Sequence, residues 1–98
     1  MRFEWDENKN EENVRHHGID FADVTVMFAY PMLTQLDERK DYGEDRWVSI
    51  GMLVDGIAVV VWTEREGDIV RIISARKVNK YERKSYEAYL TNRLGPFS

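Results

Sequence analysis

The segment from Ile69 to Tyr86 constrains the fold of this chain most, because it changes from a strand pattern to a helix pattern within a few residues. Its first five residues are apolar and β-branched, as is typical of a strand, except for Arg71 at their centre. Asn79 then has the character of a helix N-cap, with Glu82 three residues later to complete a capping box. A buried strand accommodates a central arginine only where an anionic group pairs with it. The segment therefore predicts a strand, a capped helix, and an anion beside Arg71.

Chain length and composition predict one globular domain. A chain of 98 residues, 43% hydrophobic and 33% charged, can bury one core but not two, so we expect a single domain over residues 1–98. No apolar run approaches the ~20 residues that span a bilayer, and we expect no signal peptide. The chain has no cysteine, which excludes disulfides and thiolate metal sites. We therefore expect a cytoplasmic protein with no membrane association.

The net charge of −4 is distributed unevenly along the chain. Residues 1–61 carry 6 Lys or Arg against 13 Asp or Glu, whereas residues 62–98 carry 8 against 5. An anionic ligand is therefore expected to bind the basic C-terminal part, and a basic segment of a partner would bind the acidic residues 1–61. A pI near 5.2 is atypical of proteins that bind nucleic acid through excess Lys and Arg.

The remaining hydrophobic pattern predicts an α+β fold. A short strand at 2–5 precedes a helix from about Glu7 to His17, which should end at Gly18, and a second helix from Phe21 to about Ala29. Further strands are expected at 32–36, 47–54, 57–63 and 69–73, with a charged loop at 37–45 and a C-terminal helix that ends before Gly95-Pro96. The strand at 57–63 is apolar on both faces and should be central. We expect two N-terminal helices and a C-terminal helix on a small, mainly antiparallel sheet of four or five strands.

The first predicted helix is unusually polar. Lys9, Asn13 and His17 recur at intervals of four residues and share one face of the helix. This stripe is explained equally well by a solvated helix, held down mainly by Trp5, Val14 and Ile19, and by a helix whose polar face borders a functional groove.

The cations of the chain suggest chemistry on a phosphate, although no strong enzyme motif and no metal-binding spacing is present. Arg46, Arg71, Arg76 and Arg83 are expected near one end of the sheet, with His17 nearby if the first helix packs there. RNA cleavage without a metal needs a base for the 2′-hydroxyl, cations for the pentavalent phosphate and an acid for the leaving oxygen. Arginine suits the second role and histidine the first or third.

Structural explanations for the same residues remain open. Arg71 can simply pair with a carboxylate across the sheet, such as Glu4 or Glu44, and the sequence favours this role. Arg76 and Arg83 can equally be surface or capping residues. From spacing alone the chain is a soluble α+β domain with a basic C-terminal region.

Several blocks of the chain together resemble the BrnT family, the ribonuclease toxins of bacterial type II toxin–antitoxin modules. They occur in matching order and spacing over nearly the whole chain. The blocks are Phe3-Glu4-Trp5-Asp6, Lys9, Asn13, His17-Gly18-Ile19-Asp20-Phe21, Arg46, Ile50-Gly51, Arg71-Ile72-Ile73-Ser74-Ala75-Arg76, Glu82-Arg83 and Tyr86.

This resemblance implies a RelE-like fold, cleavage of mRNA without metal or other cofactor, and inhibition of translation. It also implies neutralisation by a cognate ribbon-helix-helix antitoxin, with operator DNA bound only through that antitoxin. The candidate catalytic residues that it implies are His17, Arg46, Arg71, Arg76 and Arg83. Lys9, Lys77 and Lys80 are the expected RNA-binding cations.

The alternative is a catalytically inactive module that only pairs with an antitoxin-like partner, its charges serving as ion pairs. The two hypotheses differ in what surrounds Arg71 and Arg76. Convergence on an open groove with His17 would favour the enzyme, whereas carboxylates that hold both arginines away from any cleft would favour the binding module.

Overall fold

A computed structural model describes residues 1–94 of the chain. Gly95-Pro96, predicted to end the C-terminal helix, therefore lies outside the described residues. The described part contains five strands, three α-helices and one 3₁₀ turn. In chain order these are β1 (Arg2–Glu4), α1 (Glu7–His17), α2 (Phe21–Val24), the 3₁₀ turn (Thr25–Ala29), β2 (Leu33–Leu36), β3 (Trp47–Leu53), β4 (Gly56–Arg65), β5 (Ile69–Lys77) and α3 (Lys80–Leu94).

The strands form one sheet in the order β1-β5-β4-β3-β2. The three pairings from β5 to β2 are antiparallel, but β1 runs parallel to β5, so the sheet is mixed rather than simply antiparallel. Glu4 lies opposite Arg71 in the parallel pair, which places the two side chains on the same face. The doubly apolar strand β4 is central, as predicted, because strands flank it on both sides and helices cover parts of both faces.

The second N-terminal helix is shorter than the sequence predicted. Only Phe21–Val24 is α-helical, and Thr25–Ala29 continues as a 3₁₀ turn. The β-branched run Val24-Thr25-Val26 loses rotamer freedom in an α-helix, and Pro31 prevents the helix from continuing. The prediction of two full N-terminal helices was therefore wrong. No helix within residues 1–94 is long and apolar enough to cross a bilayer.

The sheet presents two different faces. One face packs against α1, α2 and the 3₁₀ turn, and its core contains Phe21, Val24, Ala58, Val60, Val70 and Ile72 among others. Val59 and Arg76 lie opposite each other on the other face. Helix α3 covers one end of this face. Arg76 donates to Glu82 of α3, and the hydroxyl of the buried Tyr86 donates to the Pro31 carbonyl at 2.7 Å. The rest of this face opens to solvent.

Helix α1 is attached through buried amides rather than aliphatic side chains. The Asn13 oxygen accepts from the Ala75 N–H at 3.1 Å, on the edge of β5 that β1 leaves unpaired, and its amide donates to the Ile19 carbonyl at 2.9 Å. The Asn10 oxygen accepts from the Phe21 N–H at 2.8 Å. Val14, expected to anchor the helix, is 42% exposed. The polar pattern of α1 therefore has a structural purpose, since these amides satisfy backbone groups that would otherwise be buried without partners.

Replacing Asn13 with alanine is expected to destabilise the fold by about 2–4 kcal/mol, because one buried N–H and one carbonyl lose their partners. Urea unfolding followed by tryptophan fluorescence measures the change. Asn8→Ala, on the exposed side of the same helix, is the matched control and should change stability by less than about 0.5 kcal/mol. Equal effects of the two substitutions would contradict the attachment described here.

Candidate active site

An open groove of about 400 Å³ lies on the sheet face that α3 leaves uncovered, and we call it the central groove. Its floor consists of Val48, Val59 and Val61 from β3 and β4. Ser74 and Arg76 border it on β5, and the segment after β2 borders it on the other side. An apolar floor between polar walls suits a ligand with both apolar and anionic parts.

Arg76 is the predicted site residue that lines the central groove. Its two terminal nitrogens donate to the Glu82 carboxylate at 2.8 and 2.7 Å, and Glu82 also accepts from the Asn79 N–H in the predicted capping box. The guanidinium lowers the pKa of Glu82 to about 2, and the carboxylate in turn raises the pKa of Arg76. The cap of α3 thereby fixes the orientation of Arg76.

Arg71 lies on the same face, at the end of β5 that pairs with β1. Its Nη1 donates to Glu4 Oε2 at 2.6 Å, joining β5 to β1. The arginine side chain is 30% exposed, so the pair is partly desolvated. The anionic partner predicted for a mid-strand arginine is therefore Glu4, one of the two carboxylates named from the sequence.

Arg46 precedes β3 and belongs to the segment that joins β2 to β3. Its guanidinium lies 4.0 Å from the centre of the Tyr42 ring, and its Nε donates to Glu44 at 3.3 Å. A cation over an aromatic face and beside a carboxylate is held by both interactions. Arg65 also reaches Glu44, at 3.4 Å.

His17 and Lys9 border a shallower groove of about 210 Å³ between α1 and β5, together with Asn13, Ile73 and Ser74. Both side chains are exposed. Ser74 lines this groove and the central groove, so the two adjoin across β5. The stripe on α1 thus borders a groove, although its middle residue Asn13 is occupied by structural hydrogen bonds.

Arg83 and Lys77 lie elsewhere, in a groove of about 700 Å³ lined by Ile19, Leu53 and Ile57 among others. Its lining comes from the α1–α2 connection, the β3–β4 hairpin and the start of α3. Lys80 is exposed at the start of α3.

The predicted site residues therefore divide into groups. Arg76 faces the central groove, with His17 and Lys9 on the groove that adjoins it at Ser74. Arg46 and Arg71 are held at other points by their own carboxylates, and Arg83 and Lys77 belong to a separate groove.

Sequence reasoning missed the polar residues on the far wall of the central groove. The side chain of Asp37 is only 1% exposed, and its carboxylate accepts from Arg39 Nε and Nη2, each at 2.9 Å, and from the Tyr42 hydroxyl at 3.2 Å. These hydrogen bonds, the one from Arg39 foremost, lower the pKa of Asp37 to about 2 although burial opposes the shift. The Asp-x-Arg spacing directly after a strand was the available signal, since an aspartate there can cap the turn.

The fold and the groove define an α+β protein that presents guanidinium groups on an open sheet face, an arrangement suited to an anionic ligand. Within residues 1–94, no group of three or more His, Cys, Asp or Glu side chains is placed to hold a metal ion.

Comparison with known proteins shows the family. The family described as "Ribonuclease toxin, BrnT, of type II toxin-antitoxin system" matches residues 5–82, and this chain belongs to that family. The crystal structure of the Brucella abortus ribonuclease toxin BrnT is similar, with 28% sequence identity and a TM-score of 0.64 over 82% of this chain and 99% of that one. No curated protein sequence matches significantly. The protein is a ribonuclease toxin of a type II module, which implies an antitoxin partner.

The low pKa of Glu82 predicts how the α3 cap responds to pH. Because the carboxyl titrates near 2 in the folded state and near 4.5 ordinarily, its stabilisation is complete above about pH 5 and is lost as the pH falls towards 2. Glu82→Gln should therefore cost about 1 kcal/mol at pH 6 and progressively less at lower pH.

Urea unfolding between pH 6 and pH 3 measures this difference, with Glu87→Gln on the exposed part of α3 as the control. A Glu82→Gln penalty that stays constant across the range would contradict the ion pair with Arg76.

Proposed function

We propose that this protein is a metal-independent endoribonuclease that cleaves mRNA at the central groove and so inhibits translation. The observation that supports this most is the position of Arg76, which is oriented by Glu82 on the wall of an open groove. His17 and Lys9 border the adjoining groove, so one RNA strand can cross β5 at Ser74 and contact both. Membership of a ribonuclease toxin family supports the same function.

The proposed reaction is an attack by the RNA on itself. The 2′-hydroxyl loses its proton to a base, and its oxygen then bonds to the adjacent phosphorus. The bond from phosphorus to the 5′-oxygen breaks, and an acid protonates that oxygen. The products are a 2′,3′-cyclic phosphate and a 5′-hydroxyl end, and no metal or redox cofactor enters the balance.

Each candidate residue has a role that fits its chemistry. Arg76 stabilises the negative charge that accumulates on the phosphate oxygens, because a guanidinium offers several fixed donors to an oxyanion. Arg46 and Arg71 are proposed to contribute to the same field, although carboxylates already hold both of them. His17 is the leading candidate for the proton-transfer step because an imidazole can both accept and donate a proton.

Arg83, Lys77 and Lys80 remain proposed contacts of the RNA or its phosphates, at a greater distance. Arg83 and Lys77 line the separate groove between the β3–β4 hairpin and α3. An RNA strand that continues beyond the central groove could reach these cations, and they need not act on the scissile phosphate.

The alternative function is an inactive module that only binds its antitoxin. The ion pairs of Arg71 with Glu4 and of Arg76 with Glu82 favour this possibility, because both arginines already have anionic partners. The difference between the two arginines favours the enzyme. Arg71 lies between β1 and β4 and does not line the central groove, whereas Arg76 lines it.

Induced expression of the wild-type chain in a bacterial host is expected to stop growth and degrade mRNA, whereas Arg76→Ala should reduce the cleavage rate by at least about 100-fold. The purified wild type should cleave RNA equally well in EDTA and leave 2′,3′-cyclic phosphate ends. Arg93→Ala, which removes an equal charge from the last turn of α3, is the control and should retain full activity. Arg71→Ala is measured beside them once its folding has been verified.

Two results would contradict this function. A folded, abundant wild-type protein that leaves growth and RNA intact would favour the binding module. Cleavage that EDTA abolishes and a divalent metal restores would reject the metal-independent mechanism and leave the ribonuclease class in place.

We also propose that the partner is a ribbon-helix-helix antitoxin and that operator DNA is bound only through it. A chain with a net charge of −4 has little electrostatic attraction for duplex DNA. In an electrophoretic mobility assay, the toxin alone should leave its operator unshifted and the co-purified toxin–antitoxin complex should shift it. An operator shift by the toxin alone, at physiological salt, would contradict this proposal.

A further inference from the structure

Arg39 and Arg76 face each other across the central groove. Arg39 follows β2 and Arg76 lies on β5. Since β3 and β4 lie between these two strands, β2 and β5 are about 14 Å apart. Two extended arginine side chains can span much of that distance. Both residues line the central groove, and the positive charge of Arg39 acts to lower the pKa of Arg76, against the stronger raising effect of Glu82.

Both guanidinium groups retain N–H donors that have no acceptor in the described part of the chain. Arg39 donates from Nε and Nη2 to Asp37. Arg76 donates from Nη1 and Nη2 to Glu82, and from Nη1 also to the Lys77 carbonyl at 3.2 Å. Within residues 1–94, Arg39 Nη1 and Arg76 Nε have no hydrogen-bond acceptor. The Arg39 side chain is 75% exposed and lines the groove.

We propose that Arg39 and Arg76 form a two-arginine clamp for one phosphodiester of single-stranded RNA, with Asp37 as the positioning residue for Arg39. The inference rests on the proposed function and adds Arg39, Asp37 and a phosphate-binding position to it. A phosphodiester carries one negative charge and two free oxygens, so one oxygen can accept from each arginine. The valine floor between them then contacts the attached ribose or base.

Two features of the groove support a phosphate in particular. An anion between two guanidinium groups relieves their mutual repulsion, and each guanidinium is held by a carboxylate, so little side-chain entropy is lost on binding. The clamp also explains how an acidic chain can bind RNA, because local geometry replaces an overall positive charge.

Asp37 orients Arg39 and also joins the clamp to Arg46. Its buried carboxylate accepts from the backbone N–H and the side chain of Arg39, and from the Tyr42 hydroxyl. The Tyr42 ring in turn lies under the guanidinium of Arg46. Loss of the carboxylate would release Arg39 and loosen the contact that positions Arg46.

Binding of a short single-stranded 2′-O-methyl RNA tests the clamp, because the blocked 2′-oxygen cannot attack and only affinity is measured. Fluorescence anisotropy across a range of salt concentrations is measured for the wild type, Arg39→Ala, Arg39→Lys and Asp37→Asn. We expect Arg39→Ala to weaken binding about tenfold or more and to reduce the salt slope by about 0.7, the loss of one phosphate contact. Arg65→Ala is the matched control, because Arg65 is also ion-paired but lies outside the groove.

Asp37→Asn separates positioning from simple electrostatics. Removing a negative charge from the groove would strengthen RNA binding if charge alone mattered, whereas the clamp predicts weaker binding because Arg39 loses its anchor. Thermal unfolding establishes that each variant is folded, and Arg39→Lys, which keeps the charge without the planar fork, provides a second test that does not disturb Asp37. Arg39→Lys should bind more weakly than the wild type.

The outcomes distinguish this inference from the proposed function. If the wild type cleaves and binds RNA but Arg39→Ala matches it in affinity and salt slope, the clamp is wrong and the ribonuclease function remains. Equal losses in Arg39→Ala and Arg65→Ala would also overturn the clamp, since they would indicate a diffuse charge effect. If the wild type neither binds nor cleaves RNA, the proposed function fails and the clamp fails with it.

Discussion

Ion pairs between arginines and carboxylates organise the open face of this sheet. Arg71 with Glu4 joins the parallel strand β1 to β5, and Arg76 with Glu82 joins the cap of α3 to the end of β5. Each guanidinium is partly removed from water, so a carboxylate must compensate for the lost hydration. The same carboxylates restrict the rotamers of the arginines, so the cations that make the face suitable for a phosphate are also the ones that hold the sheet and α3 together.

This arrangement has a consequence for affinity. A paired arginine contributes less net charge than a free one, so a chain with a net charge of −4 attracts RNA weakly at a distance. If RNA binds at the central groove as proposed, its affinity must come from short contacts made after the strand has entered the groove. Geometry, more than the overall field of the protein, would decide which RNA segments are cleaved. This chain differs from basic nucleic-acid-binding proteins in its low pI and in the pairing of its arginines with carboxylates.

Local signals were sufficient for much of the fold. Helix α1 is capped by Asp6 at its N-terminus and by Gly18 at its C-terminus, as their capping preferences indicate. Asn79 and Glu82 form the expected capping box of α3. The anionic partner of Arg71 was also predictable, because a mid-strand arginine needs one. The parallel pairing of β1 was not predictable, because it depends on contact with β5, which is distant in sequence. The shortened α2 follows from a β-branched run, a local signal that the prediction of a longer helix did not weigh.

The candidate site was less predictable than the fold. The arginines of the sequence predicted a site for a phosphate group. The sequence did not reveal that Arg76 would face one groove and Arg83 a separate one. Asp37 and Arg39 were missed because a charged loop usually indicates solvent exposure, and only the tertiary structure buries Asp37. The amides of α1 illustrate the same limit, because their partners include the edge of β5, which is distant in sequence.

The location of the RNA is best determined by NMR chemical-shift mapping of the isotope-labelled wild type with a short 2′-O-methyl RNA. If the central groove is the binding site, the largest changes will occur at Gln35, Val48, Val61, Ser74 and the side chains of Arg39 and Arg76. Changes confined to the groove around Leu53, Ile57 and Arg83 would contradict this location and would place RNA binding at that separate groove.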